Sequence, residues 1–195
     1  MKIEEARRLY NTQIREYREQ QVVLSKQKKE LEHKINTTPD GKSIYANEAA
    51  VLELTIQAVD EKQDEYKDYM EKLLEQWSGI ANMVSAKQQG EAMEEYAVDM
   101  AKIMEVARRI MKGAIVPGDD ERKLMEYSME LYQAAKNIGA MAKEKKEKYD
   151  SLWDDDEEPT EYEDPMEVAN NTEAFADGPA VVDVADTMAA AVPAE

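Results

Sequence analysis

The stretch that decides the fold is residues 31–49, LEHKINTTPDGKSIYANEA, where two long apolar stripes meet at a turn. Pro39 presets one backbone dihedral, Asp40 can bond its own backbone, and Gly41 takes a positive φ at little cost. Turn residues clustered between two helical patterns predict a tight reversal of the chain. The sequence therefore predicts an antiparallel helical hairpin that folds back at Asp40.

Both stripes that flank this turn repeat every 3.5 residues, which is typical of a coiled-coil seam. The first stripe is Ile3, Arg7, Tyr10, Ile14, Tyr17, Gln21, Leu24, Lys28, Leu31 and Ile35. The second is Tyr45, Ala49, Leu52, Ile56, Val59, Gln63, Tyr66, Met70, Leu73, Trp77, Ile80 and Val84. Folding back at Asp40 sets the two stripes in phase, with Leu24 opposite Ile56.

A second, shorter hairpin is predicted after Gly90, although the pattern leaves open whether the helix continues through that glycine. Its first stripe is Met93, Tyr96, Met100, Ile103, Ala107, Ile110 and Ala114. The acids at 119–121 predict the start of the next helix, by capping and by the helix dipole. Its stripe is Leu124, Ser128, Leu131, Ala135, Ile138, Ala142, Lys145, Tyr149 and Leu152. Folding at Asp119 places Ile110 opposite Ser128, and the aromatic end at Tyr149–Trp153 is expected to pack near Ala86 or Gln89.

Charge separates this helical body from the rest of the chain. The net charge is −18, from 25 Lys and Arg against 43 Asp and Glu, and no base follows Lys148. An acidic, proline-containing composition favours disorder. Within it, residues 179–185, PAVVDVA, are either plain tail or an apolar fragment that folds on a partner. A tail that folds back onto Lys143–Lys148 is as consistent with the sequence as a freely solvated one.

These patterns predict an all-α protein with two antiparallel coiled-coil-like helical hairpins and a disordered acidic tail. The expected domains are the long hairpin at 1–89, the second hairpin at 90–153 and the tail at 154–195. Cysteine is absent and no apolar run is long enough for a membrane span, so we expect a soluble, cytoplasmic protein.

The sequence argues against catalysis. The chain has one histidine, no cysteine and no glycine-rich phosphate loop. His33 belongs to a Glu-x-x-His motif, but a di-iron site needs two such motifs and His33 falls on the outer face of the predicted helix. We therefore expect no catalytic residue, no metal or other cofactor, and no small-molecule substrate. Basic runs are present, but the overall negative charge makes nucleic acid an unexpected ligand.

Methionine is the compositional bias that bears on partners. Met104, Met111, Met125 and Met129 lie off the predicted seams, and Met surfaces adapt to varied helices. These residues and Trp153 are the candidate partner-binding residues, although the sequence favours the alternative in which the methionines pack against the first hairpin or a second copy of the protein. We expect a non-enzymatic helical scaffold or adaptor that acts through coiled-coil contacts with a protein partner or a second copy. In this reading the acidic tail serves solubility or docking. The alternative is a cytosolic secretion or assembly chaperone that holds a client helix on the second hairpin.

Overall fold

The computed structural model describes residues 1–142, 147–153 and 160–192, and within them the protein is all-α, as predicted. Its helices are α1 (Ile3–Thr37), α2 (Gly41–Ile44), α3 (Ala46–Met111), α4 (Gly118–Tyr127), α5 (Met129–Met141), α6 (Pro165–Asn171) and α7 (Val184–Ala191). Two compact units are present: Met1–Val84 with Glu163–Glu195, and Ser85–Tyr162. In the described part of the chain, no helix is both long enough and apolar enough to cross a bilayer.

The first unit turns where the sequence predicted, but Asp40 and Gly41 have different roles from those expected. The positive φ of 54° falls on Asp40, not on Gly41. Gly41 is needed for close approach instead, because a Cβ there would stand 2.3 Å from the Ile35 carbonyl oxygen. Through this turn α1 passes into α2, and α3 begins at Ala46.

The predicted seam of this unit carries its core. Every residue of the two stripes is buried or half-buried, and Leu24 and Ile56 belong to one apolar cluster. The polar seam residues are paired across the helices: Gln21 Nε2 donates to Asp60 Oδ1 at 2.6 Å, and Lys28 Nζ to Glu53 Oε2 at 2.8 Å. Partners lie at nearly equal sequence distances on either side of Asp40. This spacing shows that α1 and the first part of α3 run antiparallel.

The expectation of a disordered tail is corrected for residues 165–192. This stretch contains α6 and α7 and joins the first unit through main-chain bonds such as Ile3 N to Thr172 O at 2.9 Å. Two acids cap these helices: Asp164, just before the stretch, accepts from Met166 N, and Asp183 accepts from Ala185 N, both at 2.8 Å. The acidic residues therefore help to form local structure, which composition alone does not reveal. Residues 154–159 and 193–195 of the predicted tail lie outside the described residues.

The second unit differs from the predicted hairpin because its last helix is broken. Ser128, at φ −157° and ψ 109°, ends α4, and its side chain accepts from Leu131 N at the start of α5. Glu121 accepts hydrogen bonds from Tyr132 Oη at 3.0 Å and Lys136 Nζ at 2.7 Å. The chain therefore folds back at Ser128, and α4 and α5 form a short hairpin of their own.

This break changes what faces α3. Gly139, rather than Ser128, meets Ile110, since a Cβ on Gly139 would stand 2.1 Å from the Ile110 carbonyl oxygen. Several predicted seam residues are exposed: Met93 by 75%, Tyr96 by 63% and Ile138 by 47%. The helix α3 itself continues through Gly90. The predicted docking of the tail on Lys143–Lys148 falls largely on residues 143–146, which lie outside the described residues.

Candidate protein-interaction surfaces

The four candidate methionines differ in how far they are exposed to solvent. Met104 is 45% exposed and Met129 51% exposed, whereas Met111 and Met125 are half-buried. Met111 packs against the core cluster of the second unit. Met104 and Met111 lie about two turns apart on α3. Met125 and Met129 lie on either side of the α4–α5 break.

Trp153 is not open to a partner, because the second unit already uses it. It is 7% exposed, and its Nε1 donates to Asp99 Oδ1 at 2.8 Å. Lys123 and Lys102 lie 4.2 Å and 5.4 Å from the indole centroid. The predicted contact with the long helix is therefore made around Asp99 and Lys102, not near Ala86 or Gln89.

Asp120 is a structural residue whose role the sequence reading missed. The acids at 119–121 lie in the first turn of α4 as predicted, but the expected capping is wrong, because the N-cap is Pro117 and has no side-chain cap bond. Asp120 is instead fully buried. It accepts from Ser151 Oγ at 2.7 Å and from Leu152 N at 3.2 Å. These two bonds tie residues 151–152 to α4 and give the buried carboxyl oxygens the donors that buried polar atoms require.

The titratable groups of the second unit form local ion pairs. Hydrogen bonds from Arg108 and then Arg109 lower the pKa of Glu105 to about 2. The Arg108 side chain is about half exposed, so this is a charged helix surface. In residues 1–142, 147–153 and 160–192, no three His, Cys, Asp or Glu side chains are placed to hold a metal ion. His33 is exposed, on the outer face as predicted.

One face of α3 in the second unit carries an uncovered heptad stripe, which we name the methionine–alanine seam. It consists of Ala86, Gly90, Met93, Ala97, Met100 and Met104. All are exposed except Met100, which is half-buried, and a Cβ on Gly90 would meet no atom within 4 Å. On the opposite face, Thr160 Oγ1 donates to Glu95 Oε1 at 2.6 Å. Alternating spacings of four and three place the seam residues on one side of the helix.

A second candidate surface lies in the first unit, where tyrosines between α1 and α3 hold residues 172–188. We name these tyrosines, Tyr10, Tyr17, Tyr66 and Tyr69, the tyrosine groove, and residues 172–188 the C-terminal segment. Their rings contact one another edge to face or tilted, with centroids 4.8–5.6 Å apart. Each hydroxyl donates to a main-chain carbonyl of the C-terminal segment: Tyr10 to Pro179 at 2.8 Å, Tyr17 to Val182 at 3.0 Å, Tyr66 to Ala180 at 3.1 Å and Tyr69 to Ala176 at 2.9 Å.

Burial favours the neutral, donating form of three of these phenols. It raises the pKa of Tyr10 and Tyr69, and it raises the pKa of Tyr17 to about 12. Desolvation disfavours the phenolate, so the protonated form that can donate is favoured. The groove is therefore set to bind carbonyl oxygens across the neutral pH range.

The heptad pattern placed Tyr10, Tyr17 and Tyr66 on the seam but not Tyr69, and it did not predict where the tyrosine hydroxyls go. A buried tyrosine hydroxyl usually finds a partner, so aromatic seam residues with polar tips were the available signal. What they bind was not visible from α1 and α3 alone. The acceptors are main-chain carbonyls more than a hundred residues further along the chain.

Comparison of this chain with protein-family models, with curated proteins and with solved structures found no match, so its function is argued from its own surfaces.

Proposed function

We propose that this protein is a non-enzymatic helical adaptor that acts through coiled-coil contacts, and that the methionine–alanine seam is its interaction surface. The observation that carries this proposal is the exposure of the seam, with Met93 exposed by 75% and Met104 by 45%. Single exposed apolar residues are ordinary on protein surfaces, but a sustained heptad stripe on one helix face is the pattern of a helix that packs on another helix.

The order of residues in the seam favours a second copy of the chain as the partner. If two α3 helices pair antiparallel about Glu95, the facing pairs are Ala86 with Met104, Gly90 with Met100, and Met93 with Ala97. Each methionine then faces alanine or glycine, which gives the long side chain room and lets the backbones approach. A parallel pair would instead set Met93 against Met93 and Gly90 against Gly90. Over residues 86–104 the paired length is about 28 Å, at about 1.5 Å per residue.

The residues that flank the seam do not favour a tight dimer. In the antiparallel register Glu94 lies close to Glu94 of the second copy, and like charges repel. The chain as a whole also carries −18. We therefore expect a reversible dimer that strengthens as salt screens both repulsions.

The test is a pair of matched glutamate substitutions. Met93→Glu places a charge in the seam and is expected to weaken self-association about tenfold or more, because the charge would be desolvated without a partner. Val98→Glu is the control, since Val98 is 50% exposed and lies on the opposite side of α3. Sedimentation velocity over a range of concentrations measures both variants. A wild-type chain that stays monomeric throughout would contradict the proposed dimer, as would equal weakening by the control.

Disulfide trapping reports the orientation, because the chain contains no cysteine of its own. A mixture of Met93→Cys and Ala97→Cys chains is expected to form the mixed disulfide, since these positions face each other in the antiparallel pair. Met93→Cys alone is expected to cross-link poorly. The reverse result would indicate a parallel pair.

The chaperone alternative uses the exposed methionines of the second unit in another way, as a flexible face that accepts a client helix. Exposure of Met129 by 51% and Met141 by 78% on α5 favours it. A chain that is monomeric alone, but binds an amphipathic helical peptide and loses that binding in Met93→Glu, would support this alternative over the dimer.

A further inference from the structure

The C-terminal segment is held mainly through its main chain. Besides the four tyrosine hydroxyls, Gln76 Nε2 donates to the Glu173 carbonyl at 2.8 Å and accepts through Oε1 from Phe175 N at 3.1 Å. Val182 N donates to Tyr66 Oη at 3.0 Å, and Ala174 N to the Met1 carbonyl at 3.1 Å. Because every residue offers a carbonyl, such bonds fix the path of a bound chain while they place little demand on its side chains.

The side chains of the C-terminal segment confirm that it is not packed as a core element. Phe175, its largest residue, is 86% exposed, and Val181 is 46% exposed. Its apolar contacts with the cluster of the first unit come from partly buried Ala174, Val184 and Met188. An element that had to supply the core would bury its phenylalanine, so this arrangement resembles a bound peptide more than a packed helix.

Two positions restrict what the groove accepts. A Cβ on Gly178 would stand 2.0 Å from Tyr10 Oη and 2.5 Å from Tyr10 Cζ, so the ligand needs glycine where it crosses Tyr10. At the other end, Thr187 Oγ1 lies 2.6 Å from Tyr17 Oη. Asp183 caps α7 and sets the helical turn that carries Thr187.

We propose that the tyrosine groove is a peptide-binding site, occupied in cis by the C-terminal segment, and that a partner protein's segment of the same chemistry can take its place. That chemistry is an extended stretch of small residues with glycine at the crossing of Tyr10, followed by an N-capped helical turn with a hydroxyl facing Tyr17. The resident segment competes at the high effective concentration of an intramolecular ligand. Binding in trans is therefore strong only when the resident segment is displaced or weakened.

The experiment opens the groove in the full-length chain with Gly178→Val and supplies the segment as a fluorescent peptide of residues 165–192. Fluorescence anisotropy is expected to show saturable binding of the peptide to the Gly178→Val chain. Its affinity for the wild type should be lower by about tenfold or more, because the resident segment competes there. The same peptide carrying Gly178→Val is expected not to bind. Ala176→Val in the full-length chain is the matched control, since Ala176 is exposed and only its carbonyl is used. This variant should behave as the wild type.

If the peptide fails to bind a Gly178→Val chain that keeps its helical circular dichroism, the proposal is overturned. The C-terminal segment would then be a fixed part of the first unit. Equal binding to the wild type and the variant would place the peptide elsewhere. A second measurement does not depend on that variant: excess peptide added to the wild type should speed hydrogen exchange at Ala174 N and Val182 N, whose bonds the displaced segment loses. Unchanged exchange at both amides would also contradict displacement. None of these readouts depends on self-association, so they test the groove separately from the seam.

Discussion

Tyr17 contributes both to the seam between α1 and α3 and to the binding of the C-terminal segment. Its ring is fully buried in the seam, and its hydroxyl reaches past the seam to Val182 and Thr187. The ring position follows from heptad spacing and was predicted from the sequence. The partner of the hydroxyl was not, because the spacing within one helix carries no information about a segment far along the chain.

The tyrosine groove should lose its hold on the C-terminal segment at high pH. A hydroxyl donates only while it is protonated, and burial raises the pKa of Tyr17 to about 12 from the ordinary value of about 10. A folded pKa above the unfolded one means that the stabilisation is complete below about pH 10 and is lost as the pH rises through about 12. Tyrosinate absorbance measured over this pH range should therefore show late-ionising tyrosines. Ionisation of all tyrosines together near pH 10 would contradict this prediction.

At the scale of elements, the two hairpins show what periodicity can and cannot predict. The α1–α3 pair was predictable because a strong turn divides two long stripes whose phase agrees. The α4–α5 break was not, since Ser128 fits the stripe and no glutamate or glutamine stands three residues later to complete a capping box. The fold-back depends on tertiary packing, in particular on the close approach of Gly139 to α3.

That close approach predicts a large difference between two glycine-to-alanine substitutions in helices. Gly139→Ala would place a Cβ 2.1 Å from the Ile110 carbonyl oxygen, which is backbone and cannot yield cheaply. We expect a loss of about 1–3 kcal/mol in the free energy of unfolding, as for other overpacked sites. Gly79→Ala is the matched control, since nothing lies within 4 Å of its added Cβ. Alanine there should stabilise α3 by about 0.5–1 kcal/mol. Urea denaturation measures both, and a Gly139→Ala chain as stable as the wild type would contradict the packing.

At the scale of the whole molecule, the sequence did not predict how the chain is divided between the two units. The first unit is built from two separate stretches, Met1–Val84 and Glu163–Glu195, and the second unit, Ser85–Tyr162, lies between them in the sequence. Completing the first unit closes a loop of 78 residues, Ser85–Tyr162, at an entropic cost that grows only slowly with loop length. Composition marked the C-terminal region as acidic and proline-containing, although the fragment at 179–185 was recognised as one that could fold. The C-terminal segment is ordered by hydrogen bonds to its main-chain carbonyls, and a pattern of side chains does not reveal such bonds.

This arrangement predicts that removing residues 165–195 weakens one unit and leaves the other unchanged. The chain has two tryptophans, Trp77 in the first unit and Trp153 in the second. Truncation deletes the acceptors of the tyrosine groove and of Trp77 Nε1, which donates to Asn170 Oδ1 at 2.8 Å. At about 1 kcal/mol net for each bond, less the entropy regained by the freed segment, we expect the first unit to lose about 2 kcal/mol or more.

Single-tryptophan chains make the two responses separable. Trp153→Phe leaves Trp77 as the fluorescent reporter of the first unit, and its urea midpoint should fall on truncation. Trp77→Phe leaves Trp153 as the reporter of the second unit, where the bonds to Asp99 and Asp120 are retained, so its midpoint should not move. Phe175→Ala in the full-length chain is the control, because that ring is 86% exposed. A joint fall of both midpoints would mean that the units unfold together. An unmoved Trp77 midpoint would mean that the C-terminal segment adds no stability, despite its hydrogen bonds.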